Sequence, residues 1–274
     1  LRSLSLSQAI MDVSTDRGRV ISLDDAINRI GPMGRYQLYI GIILNLIWAT
    51  PALLITGLPF LERTPSFLCR DSLTQPWQSC DEKEACDAEY MQFDGQRSET
   101  LIGDFELYCD RHYLLGLLGS ATFAGSMIGV FFFSRIGDKF GRRGITVLGN
   151  CLLVFSGLLI LLQDNIEGII TLFFVFGVAN TGTCTVCYIL YSEIIGLNYR
   201  HWAGTMFNFF FALNEVVVAV FAYYNRNWRT IASFALAPGI ISLFFLRLVR
   251  ESPRFLAFVK KDFPRARGIF NVIA

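Results

Sequence analysis

Charge is what this sequence is shortest of. Asp, Glu, Lys and Arg make up 17% of its 274 residues, where a soluble domain carries roughly 25%. The shortfall is uneven, because long apolar runs alternate with short charged clusters, and that distribution excludes a large water-soluble core. Histidine is almost absent. His112 and His201 are the two present, and neither has a plausible Ser or Cys partner nearby for nucleophilic chemistry. No glycine-rich phosphate loop follows a strand, and no metal spacing is convincing. The expectation is a protein that is not an enzyme, with no cofactor and no metal. A formal net charge of +1 without a basic stripe excludes nucleic acid as a partner. Residues 61–112 contain no Asn, so they offer no N-glycosylation sequon.

What is abundant is apolar length, with 53% hydrophobic residues and a mean hydropathy of +0.45. Spanning a bilayer takes about 20 apolar residues. Six segments of the sequence meet that requirement, at 36–60, 113–134, 145–162, 168–191, 203–224 and 230–248. The expected fold is an all-α integral membrane protein whose principal partner is the lipid bilayer. Residues 1–35 read as an N-terminal segment with no signal peptide. It carries an amphipathic surface helix, capped by Ser22 with Asp25 three residues on and stopped at Gly31-Pro32. In that helix Leu23, Ala26, Ile27 and Ile30 share a face. Residues 61–112 form a polar, acidic external loop, residues 113–248 hold spans two to six, and residues 249–274 form a basic helical segment.

Lys and Arg fix the expected orientation. Arg29 and Arg35 precede the first span, Arg135, Lys139, Arg142 and Arg143 flank the second-to-third turn, and Arg200 follows the fourth. Arg247, Arg250, Arg254, Lys260, Lys261, Arg265 and Arg267 follow the sixth. All fall on one face, which the positive-inside rule makes cytoplasmic together with both termini. Arg226 and Arg229 are the minor exception. The plasma membrane is the first expectation for location, with an organelle membrane as the alternative. Cys69, Cys80, Cys86 and Cys109 lie in the external loop and read as two disulfides, with three connectivities open. A zinc site or free thiols are the other readings.

The most specific pattern is Ser134-Arg-Ile-Gly-Asp138-Lys139-Phe-Gly141-Arg142-Arg143 between two spans on the basic side. Gly141 permits a turn too tight for a side chain, Arg142 and Arg143 suit the headgroup zone, and Asp138 can serve a helix N-terminus. The pattern resembles the signature turn of the major facilitator superfamily, with Ser134 where that family usually has Gly. Four further stretches narrow the resemblance: Gly34-Arg35-Tyr36-Gln37, Phe105 to Arg111 closing the Cys-containing external loop, Tyr188 to Arg200 around Glu193, and Glu251-Ser-Pro-Arg254-Phe255-Leu. The last has Phe255 where Trp is common. Together they are similar to the organic cation and organic anion transporter family, over the N-terminal six-helix half of that fold. The resemblance implies alternating access, with Asp138, Lys139, Gly141, Arg142, Arg143, Glu193, Arg200, Glu251 and Arg254 forming a conformational latch.

Inside the spans, Glu215 is the one deeply placed carboxylate, and such groups face a cavity or a partner rather than lipid. Asn208 shares its helical face. With Asn180, Tyr188 and Asn45 these are the candidates for a substrate cavity lined by the first, second, fourth and fifth spans. Gly125 and Gly129 make a GxxxG for close helix approach. Pro51 and Pro238 are expected to kink their helices. The expected function is half of a carrier for small organic ions, with a lean to cations because Glu215 has no intramembrane base. Six helices supply one wall of such a carrier, so a second six-helix half or another membrane subunit is the implied partner. The alternative is a non-transporting structural or regulatory subunit of a larger membrane complex.

Overall fold

The computed structural model describes residues 27, 33–71, 76–94, 99–262, 264–266 and 268–269. The expected surface helix over residues 22–30 lies outside the described residues, apart from a buried helical Ile27. Six long apolar helices dominate. They are α1 (Arg35–Leu61), α4 (Tyr113–Phe140), α5 (Arg142–Leu162), α6 (Ile166–Ile194), α7 (Arg200–Tyr224) and α8 (Trp228–Phe245). Between α1 and α4 lie β1 (Phe67–Arg70), β2 (Gln78–Cys80), α2 (Glu82–Asp87), β3 (Tyr90–Phe93) and α3 (Leu101–Phe105). A short helix, α9 (Pro253–Phe258), follows α8.

Helices are the form in which a hydrocarbon-embedded backbone satisfies its own N–H and C=O groups. Their ends need other partners. Gln37 Oε1 accepts from Gly34 N at the start of α1. Asn227 Oδ1 accepts from Arg229 N at 2.9 Å to open α8, and Ser252 Oγ accepts from Phe255 N at 3.3 Å to open α9. Pro51 and Pro238 both sit inside helices that continue past them.

The helices overrun the apolar stretches that mark them. The widest overrun corrects the reading of 135–143 as an extended turn. α4 stays helical through Arg135, Asp138 and Lys139, and the reversal falls on Gly141 alone, with φ 113° and ψ 145°. That backbone region favours a residue without Cβ. Three buried glycines on α4 and α6 then bring these helices together. A Cβ on Gly125 or Gly129 would meet the backbone of Phe174 and Val178, and one on Gly177 would meet the backbone of Thr122. The expected GxxxG contact is therefore a backbone-to-backbone seam.

The core has two ends. Leu53, Leu118, Leu153, Phe173 and Trp228 pack toward the external loop. Ile40, Leu44, Leu190, Phe207, Leu246 and Leu256 pack toward the basic face. The external loop is a folded unit, with a three-stranded antiparallel sheet in the order β2-β1-β3. Disulfides Cys69–Cys80 and Cys86–Cys109 fix it, with Cα–Cα distances of 5.9 and 5.7 Å. These pairs replace the zinc and free-thiol readings. Cys109 opens the short 3-10 turn that leads into α4, so its bridge ties the unit to the second span. At the same junction His112 Nδ1 lies 3.0 Å from Glu82 Oε1. Burial pushes the neighbouring Glu62 carboxyl up from its ordinary range, and His112 opposes that shift. The unit is docked on the sixth span as well, because Trp228 Nε1 donates to Asp104 Oδ2 at 3.1 Å. Arg229 pairs with Asp104 at 3.2 Å and with Asp164 at 3.8 Å. The outer-face arginine that breaks the charge asymmetry thus has a local reason to be there.

Candidate functional site

At the basic end, four helix termini meet around one guanidinium. Arg142 opens α5 and its side chain is 17% exposed. It reaches Glu193 Oε1, at the end of α6, at 2.8 Å, and Asp138 Oδ1, near the end of α4, at 3.1 Å. Glu193 is buried, with 7% of its side chain exposed, and its second oxygen accepts from Ser252 Oγ. Asp138 is 68% exposed, so the Arg142–Glu193 pair is the desolvated one and dominates the local energetics.

Glu251 completes the cluster. One of its oxygens accepts from Arg142 N at 3.0 Å, Arg143 N at 3.1 Å and Ser252 N at 3.0 Å. It therefore caps α5 with a carboxylate, where the helix dipole favours negative charge. This corrects two expectations. The acid at the α5 N-terminus is Glu251 rather than Asp138, and the Arg142 guanidinium is turned into the protein rather than into headgroups. A Cβ on Gly141 would crowd the Glu251 carboxylate, so that glycine is required by packing as well as by φ.

The structure brings Asp138, Gly141, Arg142, Glu193 and Glu251 together. Arg143 contributes its backbone N–H. Lys139 is exposed, 5.7 Å from the Phe140 ring centroid. Arg200 Nε donates to Ser192 O at 2.9 Å, linking the start of α7 to the end of α6. Arg254 is half-buried in the first turn of α9. The bond from Ser252 to Glu193 is one that sequence reasoning missed. A hydroxyl placed to cap a helix gives no sign of a second partner in another element.

Within the spans, the candidate residues divide. Tyr188 joins an aromatic group centred on Phe207, at 6.1 Å between centroids. Trp48 lies 5.1 Å and Tyr191 5.5 Å from the same ring. Asn45 sits one turn before Trp48 and donates to Gly41 O at 2.9 Å. Asn45 Oδ1 and Trp48 Nε1 are buried without a hydrogen-bond partner among the described residues. Asn180 is buried and accepts from Cys184 Sγ at 3.6 Å.

Asn208 and Glu215 occupy a different position. With His201 and Thr205 they form a polar stripe along the exposed face of α7. Asn208 and Asn214 spend their amides on the backbone, bonding Gly204 O and Phe210 O, whereas no bond from Glu215 is present among the described residues. Sequence reasoning also missed a buried polar tie between the third and sixth spans. Asn150 Nδ2 donates to Ser242 Oγ at 2.8 Å and to Gly239 O at 3.3 Å. Asn150 being the sole Asn inside its span was the available signal.

Comparison with known proteins places this geometry. Residues 74–273 match the family model described as "Sugar (and other) transporter". A solute carrier family 22 member 15-like protein of Xenopus laevis is 32% identical over 163 residues, covering 60% of this chain and 34% of that protein. Solute carrier family 22 member 15 of Xenopus tropicalis is 29% identical over 246 residues, covering 86% and 45%. An organic cation transporter-like protein of Drosophila melanogaster is 26% identical over 275 residues, covering 85% and 47%. The chain thus spans less than half the length of these curated relatives. Among solved structures, the xylose transporter XylE of E. coli in a partially occluded inward-open conformation aligns with a TM-score of 0.62. Its identity is 15%, over 88% of this chain and 54% of that one. The six membrane helices share the fold of that transporter over the aligned part, and the chain belongs to the sugar (and other) transporter family of the major facilitator superfamily.

Proposed function

We propose that this chain is the N-terminal half of an alternating-access carrier for small organic ions, with a lean to cations. The observation that carries the reading is Glu215, a carboxylate inside a membrane span, on the exposed face of α7. Holding a charged carboxylate against lipid at the bilayer centre costs about 2.5 kcal/mol or more, so that face suits a wet cavity shared with a second six-helix half. The aromatic group of Trp48, Tyr188, Tyr191 and Phe207 lies where α1, α6 and α7 meet. Aromatic faces attract desolvated cations, quaternary ammonium groups above all, and the unpartnered Asn45 Oδ1 adds an acceptor.

Asp138, Gly141, Arg142, Arg143, Glu193 and Glu251, with Lys139, Arg200 and Arg254 around them, act as the latch that holds one conformation closed at the basic face. By the positive-inside rule that face is cytoplasmic, with both termini on it, and the plasma membrane is the proposed location.

The test is uptake of tetraethylammonium by the full-length protein, with surface abundance measured in parallel. Glu215→Gln is expected to lower uptake at least about tenfold at unchanged abundance. Unchanged uptake in that variant would remove Glu215 from the site and overturn the reading.

A further inference from the structure

Beyond transport, we propose that the basic face carries a binding site for a phosphate-bearing anion, either a phosphorylated lipid headgroup or a soluble organic phosphate. A cavity of about 570 Å³ opens there, bounded by the start of α5, the segment after α8, α9 and the helical turn beyond it. Its charged lining consists of Arg143, Arg247, Arg250 and Arg265 with a single acid, Glu251. That acid is already committed, because its oxygen accepts from the backbone N–H groups of Arg142, Arg143 and Ser252. It leaves the guanidinium groups largely uncompensated. Arg265 has an exposed partner in Asp262 at 3.3 Å. Arg143 Nε is buried and donates to nothing, and no carboxylate pairs with Arg247 or Arg250 among the described residues.

Two features set this cavity apart from an ordinary basic membrane face. Every basic residue of the lining is an arginine, while Lys260 and Lys261 of the same face are exposed and lie outside it. Guanidinium forks bind phosphate oxygens in pairs, which an ammonium cannot do. The cavity is also concave and of ligand size, within the roughly 300–1,000 Å³ of small-molecule sites. Arg143 and Glu251 belong at once to this cavity and to the charge cluster at the α5 N-terminus, so an anion bound here sits against the latch residues.

The experiment reads binding, not uptake, so its outcome is separate from that of the transport reading. The full-length protein is placed in phosphatidylcholine nanodiscs, with or without phosphatidylinositol bisphosphate. Retained lipid is measured by native mass spectrometry, and binding of soluble inositol trisphosphate by equilibrium titration. The expected result is retention of the phosphorylated lipid or saturable binding of the trisphosphate. Arg247→Gln/Arg250→Gln should weaken it at least about tenfold, the effect of losing charge-assisted bonds. Both residues are exposed, and size-exclusion chromatography verifies that the variant folds. Lys260→Gln/Lys261→Gln should stay within about twofold of wild type, since it removes equal charge outside the lining. Binding of lipid alone identifies the bilayer as the source, and binding of both probes shows that the headgroup suffices. Binding of neither, equal binding by the arginine variant, or an equal loss in the lysine variant would overturn the proposal.

Discussion

Glu193 and Arg142 show how much a single buried charge pair determines at the basic end. Both are largely withdrawn from solvent and meet at 2.8 Å. Removing one partner of such a pair strands the other, at a cost of about 3–5 kcal/mol. Arg142→Gln leaves the Glu193 carboxylate with only the Ser252 hydroxyl beside it and should lower the thermal midpoint of the detergent-purified protein sharply. Arg142→Gln/Glu193→Gln removes both charges and should recover part of the loss. If the double variant is as unstable as the sum of the single ones, the two side chains are not energetically coupled. The identity of these residues was legible in the sequence, because Asp138, Gly141 and Arg142 fall in a recognisable pattern and Glu193 ends a span. Their division of labour was not. Which acid caps α5 depends on the path of the chain after α8, and Glu251 lies 109 residues along the sequence from Arg142, whose backbone N–H donates to it.

At the level of elements, the seam between α4 and α6 rests on residues that have no side chain to lose. Gly129→Leu would drive a side chain into the Val178 backbone, and two helices cannot part at that point without opening the core. The expected outcome is failure to accumulate as a monodisperse species on fluorescence-detected size exclusion. Gly144→Leu is the control, since Gly144 has open space around it; equal behaviour of the two variants would mean the seam does not matter. Membrane helices were legible because apolar length signals them directly. Their ends were not, because charged residues such as Asp138 and Lys139 are compatible with a helix emerging from the bilayer as well as with a turn. The sheet of β1, β2 and β3 was invisible for a related reason. Its strands are 3 or 4 residues long, too short for an alternating pattern, and disulfides hold what hydrophobic burial alone would not.

Across the whole molecule, burial is lopsided. The most apolar windows of α1, α5 and α6 are at least half buried, at 61%, 50% and 56%. Those of the spans containing α4 and α7 are 22% and 17% buried. The two least buried spans, of which α7 carries the polar stripe, thus present most of their apolar surface outward, which suits the half-carrier reading. A sample consisting of these 274 residues alone, reconstituted in liposomes, should show no saturable uptake of tetraethylammonium; uptake by a demonstrated monomer would contradict the half-carrier reading. One further property follows from where the polar ties sit. At the outer end, the Cys86–Cys109 bridge and the Asp104–Trp228 bond hold the first, second and sixth spans through one small unit. At the basic end, Arg142, Glu193 and Glu251 join the second, third and fourth spans to α9. Rods fastened at opposite ends cannot slide along one another. The second span belongs to both sets, so a shift of its outer end along the first or sixth span has to be matched at the basic end against the third and fourth.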